Sequence, residues 1–387
     1  MRAADPASTE HGKLLGLELL RFVAAFAVLV WHYQHFAFNG AAIMVDRAQQ
    51  PFYGLLRPFY EYGWYGVQVF WSISGFIFFW RYRDSVAQGA VGAWRFFVLR
   101  FSRLYPLHLA TLLLAALLQH AYTLSAGHHF VYPHNDAWHF VLQLFMASHW
   151  GLQQGYSFNG PIWSISVEVL VYLVFFVSLR LAGKSVWLNL AAVALAIGLR
   201  QAGLATAVSD CIGFFYAGGG GALLWRRFAP QQPGTIVRAL AWSATIGLPI
   251  AAWAGVATAS DNVIIYVLLA YMPCALYCLA QPLHAGRRLA GVIDAAGNLT
   301  YASYLLHFPL QLAIALYFDA RAESIPLYGK LLFVFYIGAS FGAAYFVYRF
   351  LERPAQSWLR RRLLVAPAAP ELGQGAAAGA EREAGKT

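Results

Sequence analysis

The chain has 387 residues, of which 60% are hydrophobic and 11% are charged, and its net charge is +10. This composition excludes a water-soluble globular protein, in which about a quarter of the residues are charged. Because helices satisfy their own backbone hydrogen bonds inside lipid, the recurring apolar runs predict an all-α polytopic membrane protein. The basic residues then fit cytoplasmic loops, and we expect no nucleic-acid partner.

Hydropathy predicts about ten transmembrane helices, each near the roughly 20 residues that cross the hydrocarbon core of a bilayer. They cover residues 14–38, 63–80, 104–121, 160–181, 186–206, 209–226, 236–256, 262–281, 298–318 and 329–351. One membrane domain is thus predicted over residues 14–358. It follows a cytoplasmic N-terminal segment at 1–13 and precedes a tail at 359–387, which is basic at first and then has the composition of a disordered segment.

An eleventh apolar segment, residues 138–150, is too short to cross comfortably. If it does not cross and the N-terminus is inside, 21 Lys and Arg residues face the cytoplasm and five face outward; if it crosses, ten face inward and 16 outward. Since cytoplasmic loops carry the excess of basic residues, we predict a re-entrant or interfacial helix on the outer side. Both termini are then cytoplasmic.

Three polar residues share one face of the first predicted helix. Arg21 and His32 are three helical turns apart, or about 16 Å along the axis, and Glu18 lies one turn before Arg21 and can pair with it. Charges inside a span are costly and by default indicate function. The alternative is an ion pair that fixes helix packing, with an interfacial histidine beyond it.

A basic segment follows the second predicted span and ends in Arg100-Phe-Ser-Arg103. Two guanidinium groups one helical turn apart can hold a phosphate or a pyrophosphate from one side. Anchoring to anionic lipid headgroups explains the same charges, and the segment taken alone favours that second interpretation.

Two further motifs place polar residues inside predicted spans. Ser164 and Glu168 share a helix face, and a carboxylate beside His32 would orient the imidazole for general-base chemistry. A structural hydrogen bond between spans would explain Glu168 as well. His307 precedes the helix-kinking Pro309, and a structural histidine is at least as good an explanation there as a catalytic one.

The segment between the third and fourth predicted spans contains no Lys or Arg but many aromatic and hydrogen-bonding side chains. It predicts a polar, aromatic vestibule, which suits sugars but is also typical of an interfacial loop. The three cysteines lie in apolar runs without zinc-ligand spacing, and we expect no metal site.

Taken in order, these motifs resemble those of the membrane acyltransferase-3 family, over nearly the whole chain from Leu14 to about Trp358. The matching sequences are Arg21-x10-His32, Gly66-Val-Gln-Val-Phe-Trp-Ser-Ile-Ser-Gly75-Phe, Arg100-x-x-Arg103-Leu-Tyr-Pro, Trp163-Ser-Ile-Ser-Val-Glu168, Ser303-Tyr-Leu-Leu-His307-x-Pro309 and Glu352-Arg-Pro354.

The resemblance implies transfer of an acyl group, usually acetyl, from cytoplasmic acyl-CoA to a hydroxyl of a glycan or related acceptor. Acetyl-CoA would be a donor substrate rather than a permanently bound cofactor, and the location would be the inner membrane of a bacterium. Some relatives carry a fused extracytoplasmic domain that finishes the transfer. Here we expect direct delivery or a separate extracytoplasmic protein.

The expected site residues follow from the motifs together with this resemblance. They are His32 and Glu168 for catalysis, Arg21, Arg100 and Arg103 for the acyl-CoA, and Glu18, Trp163, Ser164, Ser166 and His307 for the substrate. In this hypothesis the pantetheine arm passes Arg21 and brings the thioester to His32. The histidine then either deprotonates the acceptor hydroxyl, which we favour, or carries the acyl group itself.

The main alternative is a proton-coupled transporter or flippase for a polysaccharide precursor. Intramembrane Glu, Arg and His residues also mark proton pathways. A transporter would move its substrate without consuming acetyl-CoA. A non-catalytic sensor or a partner of a polysaccharide synthase is a third hypothesis.

Overall fold

The computed structural model describes residues 14–39, 42–43, 45–228, 243, 260–282 and 285–364. Within them the helices are α1 (Leu15–His32), α2 (Tyr53–Tyr62), α3 (Gly66–Arg81), α4 (Arg83–Ala87), α5 (Ala93–Ala126), α6 (Ala137–Leu144), α7 (Trp163–Ala182), α8 (Val186–Gln201), α9 (Ala207–Phe228), α10 (Asp261–Leu279), α11 (Arg287–Asp319), α12 (Lys330–Val347) and α13 (Arg353–Leu364).

Shorter elements join or extend these helices. A 3₁₀ turn, Tyr33–Ala37, continues α1, and another, Gly160–Ile162, leads into α7. A π-helical segment, Tyr348–Glu352, connects α12 to α13. Two two-residue strands, β1 (Phe38–Asn39) and β2 (Ala42–Ile43), pair antiparallel after the first 3₁₀ turn.

Seven of the described helical segments are long and apolar enough to cross a membrane. This confirms a multi-pass membrane protein whose described residues are mostly helical, but it does not confirm the count of about ten. The helices α3 and α8 have 16 residues each. The predicted span 236–256, the segment 1–13 and the tail beyond residue 364 lie outside the described residues.

Residues 138–150, which were expected to stay on one side of the membrane, contain only the short helix α6. Helix α6 has eight residues, which is about 12 Å at 1.5 Å per residue. A helix of that length cannot span a hydrocarbon core of about 30 Å. Its location at the outer interface stays a prediction.

Helix α5 is longer than hydropathy indicated, because it begins at Ala93 rather than at residue 104. Its first three turns carry Arg95, Arg100 and Arg103, which lower the local hydropathy without breaking the helix. The helix ends at Ala126, and Gly127 follows it with a φ of +76°, the left-handed conformation that favours glycine after a helix C-terminus. The Arg100 and Arg103 pair therefore lies on a continuous helix.

Helices α3 and α9 pack backbone to backbone. A Cβ atom at Gly75 would overlap the backbone oxygen of Phe215, and one at Gly218 would overlap that of Ser72. Small residues allow this close approach between membrane helices. The contact fixes α3 beside α9, while α1 packs along α11, and α5 and α12 also contact α11.

Candidate active site

A central cavity of about 300 Å³ is lined by residues of α1, α3, α5, α7 and α11. Its lining includes four arginines and two glutamates, which are Arg21, Arg81, Arg100, Arg103, Glu18 and Glu168. The excess of positive charge in a partly apolar cavity favours an anionic ligand. Six of the ten site residues expected from the sequence meet here, since Ser164 also lines the cavity.

The ion pair at the start of α1 forms as expected. Arg21 donates from Nη1 to Glu18 Oε2 at 3.0 Å. Glu18 packs directly against Gly297 of α11, where any Cβ atom would meet the carboxylate. Glu18 therefore offsets the charge of Arg21 inside the helix bundle, and its contact with Gly297 sets the spacing of α1 and α11.

Arg100 is held by aromatic side chains rather than by a carboxylate. It donates from Nη2 to the Tyr82 hydroxyl at 2.6 Å, and its guanidinium lies 4.8 Å from the ring centroids of Phe78 and Tyr82. Its Nε is buried without a hydrogen-bond partner. Arg100 thus lines the cavity with its guanidinium fixed by these rings and with one donor unused.

Glu168 does not orient His32, as the sequence argument expected it to do. Its Oε1 accepts a hydrogen bond of 2.6 Å from the Tyr172 hydroxyl, and its side chain also bonds that of Ser74. The charges that act on it are those of Arg103 and Arg21. The register of α7 therefore places this carboxylate with the arginines of the cavity.

Glu352 is a site candidate that the sequence argument missed. It ends the π-helical segment, is 8% exposed, and has a buried Oε2 without a hydrogen-bond partner. Arg103 and Arg21 act on its charge as well, and π-helical turns are frequent at functional sites. The signal was present in the Glu352-Arg-Pro354 motif, but the residue lies just beyond the predicted span 329–351.

The imidazole of His32 is oriented by a hydrogen bond to a backbone carbonyl of its own helix. Its Nδ1 lies 2.8 Å from the carbonyl oxygen of Val28. Because a carbonyl can only accept, Nδ1 carries the proton and Nε2 keeps the lone pair that a general base needs. Gln311 of α11 donates to the His32 carbonyl oxygen at 2.8 Å, which fixes the end of α1.

His32 belongs to a buried cluster of three imidazoles. Its ring centroid lies 4.7 Å from that of His307 and 4.8 Å from that of His35. Nδ1 of His35 donates to Gln311 Oε1 at 3.0 Å, and Nδ1 of His307 donates to the Tyr304 carbonyl at 2.6 Å. Over the described ranges, no three His, Cys, Asp or Glu side chains are arranged to hold a metal ion.

Tyr304 separates this histidine cluster from the cavity. It lines the cavity, and its ring centroid lies 5.7 Å from that of His307. Its hydroxyl donates to the Pro161 carbonyl and accepts from Ser164, both at 2.7 Å. None of the three histidines lines the charged cavity, and Tyr304, which lines it, is the residue in contact with His307.

Trp163 and Ser166, expected on the acceptor side, hold the segment between α6 and α7. Ser166 Oγ accepts from the backbone N–H of His149 at 3.2 Å, and its carbonyl accepts from the Trp150 indole at 2.8 Å. Trp163 packs edge-on against Trp71 of α3, with ring centroids 5.8 Å apart. The structure thus assigns these two residues packing contacts outside the cavity lining.

Several polar side chains expected to line an outer vestibule instead make hydrogen bonds within the segment between α5 and α7. The Asp136 carboxylate caps α6 by accepting from the backbone N–H of His139 at 3.0 Å, a hydrogen bond that lowers the pKa of the carboxyl. Asn135 bonds the backbone of Tyr132 and Phe158, each at 2.6 Å. These groups give the segment a defined shape.

Comparison with known proteins identifies the family. The profile of a family described as an acyltransferase domain, acyltransferase-3, matches residues 14–349. Acyltransferase MdmB of Streptomyces mycarofaciens is 30% identical over 181 residues, which are 44% of this chain and 41% of that protein. No solved structure matches the chain. Since the profile covers far more than half of the sequence, this protein belongs to the acyltransferase-3 family of membrane acyltransferases.

Proposed function

We propose that this acyltransferase moves an acyl group, with acetyl the preferred candidate, from cytoplasmic acyl-CoA to a hydroxyl of an exported or cell-surface glycan. The observation that carries the proposal is the arginine-lined cavity that ends at Tyr304, beside His307 and His32. Arginines that suit an anionic donor line the cavity with Tyr304, and behind Tyr304 lie imidazoles with an available lone pair.

The charges of the cavity support acyl-CoA as the donor. A coenzyme A molecule carries phosphate groups and a long, uncharged pantetheine arm that ends in the thioester. Arg100 and Arg103 lie one helical turn apart, and Arg100 retains an unpartnered buried Nε for an oxygen ligand. Beyond them, Ser164 and Tyr304 line the part of the cavity where the arm would approach the histidines.

His32 is the proposed general base. The acceptor hydroxyl gives its proton to Nε2 of His32 while its oxygen bonds to the acyl carbon. The carbon–sulfur bond then breaks, and the CoA thiolate leaves and takes the proton from His32. Acylation of His32 itself is the other route, and it would leave label on the protein.

The sugar acceptor is supported by the outer segment, where Tyr132, Tyr156 and Trp163 lie close to one another and to the histidine cluster. The excess of basic residues in one set of loops supports an orientation with both chain termini in the cytoplasm. The bacterial inner membrane is proposed from the resemblance to the family. A separate extracytoplasmic protein would be needed if the final acceptor cannot reach His32.

The test uses purified protein in lipid vesicles with radiolabelled acetyl-CoA and a lipid extract of the source cells as acceptor mixture. We expect the wild type to release CoA and to transfer label, and His32→Ala to do neither. His108→Gln is the matched control, because Gln can keep the bond that His108 Nε2 makes to the Gln143 carbonyl at 2.7 Å. A wild type that moves lipid-linked glycan without consuming acetyl-CoA would instead establish the transporter.

A further inference from the structure

His307 has one nitrogen that the fold leaves unsatisfied. The side chain is completely buried, and its Nδ1 donates to the Tyr304 carbonyl. Its Nε2 is buried and has no hydrogen-bond partner. A buried polar atom without a partner destabilises the fold, so this lone pair calls for an explanation beyond packing.

The neighbour of that lone pair is a second imidazole with the same arrangement. Both His32 and His307 donate from Nδ1 to a backbone carbonyl, which leaves Nε2 as the basic nitrogen of each ring. Two imidazoles joined by an N–H···N hydrogen bond of about 3 Å have centroids about 5 Å apart. The observed centroid separation of 4.7 Å allows such a bond.

We propose that His307 is the proton partner of His32, and that a proton taken up by His32 Nε2 is shared with the lone pair of His307 Nε2. His307 is a positioning residue in this scheme, because it acts through His32 and need not touch the substrate. The proposal rests on the proposed function for its place in the reaction, but the shared proton itself exists without any substrate.

The step balances within the proposed reaction. When the acceptor oxygen has bonded to the acyl carbon, it becomes an ester oxygen, which is a weak acceptor for the new Nε2–H of His32. The lone pair of His307 Nε2 then accepts the Nε2–H of His32, and a charge-assisted N–H···N bond holds the proton. The departing CoA thiolate finally takes that proton, and both histidines return to their neutral tautomers.

The surroundings of the pair leave His307 as the partner that fits. His35 also lies beside His32, but its Nδ1 donates to Gln311 and its Nε2 faces the Tyr132 hydroxyl at 3.5 Å. The hydroxyl of Tyr304, on the same helix as His307, is engaged with Ser164 and Pro161. Among the described residues, the groups whose charges act on His307 are His32 and His35.

The first measurement is magic-angle-spinning NMR of the full-length protein, labelled with ¹⁵N-histidine, in lipid bilayers. Across a pH titration, we expect one proton signal that couples to Nε2 of both His32 and His307. The signal should vanish in His307→Asn, which retains a donor at the position of Nδ1 but has no Nε2. Two rings that titrate without any shared proton signal would overturn the proposal.

The second measurement is steady-state CoA release from acetyl-CoA with the extract described above. We expect His307→Asn to lower kcat roughly 100-fold, the lower end of what a positioned acid or base supplies, with KM for acetyl-CoA unchanged. The control is His108→Gln, whose kcat should equal that of the wild type. His108 also has a buried Nδ1 without a partner, but its described ring contact is with Tyr105, at a centroid distance of 6.0 Å.

The outcomes separate the two proposals. Equal kcat values for His307→Asn and His108→Gln would overturn the role of His307 while leaving the acyltransferase reaction intact. A wild type that releases no CoA would refute the proposed function. The NMR titration of the wild type would then still decide whether the two histidines share a proton.

Discussion

Gln311 gives the sharpest test of how α11 controls the site. It is completely buried, donates to the carbonyl of His32 at 2.8 Å and accepts from Nδ1 of His35 at 3.0 Å. Gln311→Leu keeps most of the side-chain volume but leaves both partners unpaired. At about 1–3 kcal/mol for each orphaned group, the upper bound on the loss is about 6 kcal/mol. Hydrogen bonds inside membrane proteins average nearer 0.6 kcal/mol each, so we expect the two bonds together to contribute about 1 kcal/mol.

The matched control is Gln119→Leu. Gln119 is also buried and also makes two hydrogen bonds, to the backbone oxygen and nitrogen of Phe130 at 2.8 and 3.2 Å. Both variants should lose similar unfolding free energy in SDS–detergent titrations. Only Gln311→Leu should also lose kcat, by about 100-fold, since small displacements of a catalytic group have effects of that size. Equal kcat per folded molecule in the two variants would refute the view that Gln311 positions His32.

Three further predictions follow from other parts of the bundle. The double variant Arg100→Ala, Arg103→Ala should raise the KM for acetyl-CoA in the CoA-release assay. An unchanged KM would show that the two arginines anchor the protein to lipid headgroups instead of binding the donor. Gly218→Ala should destabilise the protein by about 1–3 kcal/mol in SDS unfolding, because the new methyl group would overlap α3. Gly220→Ala should leave the unfolding free energy unchanged, because the space around Gly220 is open. Burial raises the pKa of Asp84, but the ion pair with Arg226 of α9 lowers it by more, so that the pKa of the carboxyl lies below its usual range. The pair therefore stabilises the fold above the unfolded pKa of about 3.9 and is lost as pH falls through the folded pKa, and Asp84→Asn should remove that part of the acid sensitivity of unfolding.

The part of the site on α1 could be predicted because it lies within one apolar run. A charge in such a run is conspicuous, and a helix of known pitch places Arg21 and His32 on one face. The same rule applied to His35 and Gln311, which lie in the predicted spans 14–38 and 298–318, would have identified two residues that the sequence argument passed over.

Pairings between distant spans could not be predicted. His32 and His307 meet because α1 packs along α11, and nothing in either helix specifies which face meets the other. The expected pairing of Glu168 with His32 was wrong for the same reason. Periodicity placed Ser164 and Glu168 on one face of α7. The packing of α7 in the bundle decides that this face meets Tyr304 at one turn and the arginines at the next.

Helix ends were misplaced where a span continues into a charged extension. Hydropathy reports the apolar stretch that crosses lipid, so it began the third span at residue 104 and the ninth at residue 298. The helices themselves begin at Ala93 and Arg287, because arginine is a good helix former and does not end a helix. The extension of α5 is what brings Arg100 and Arg103 into the cavity wall.

The site divides into a charged half and a neutral half, and each follows from the cost of polarity inside a membrane. Arg21 and Arg103 are tolerated because Glu18, Glu168 and Glu352 lie within reach of their charges, and Arg100 is held by aromatic rings and a tyrosine hydroxyl. The histidines instead rely on carbonyl and amide oxygens, which fix a tautomer without adding charge. A base held in this way becomes charged only when it takes a proton, so in the proposed reaction charge forms beside Tyr304 at the moment of transfer and is absent before and after it.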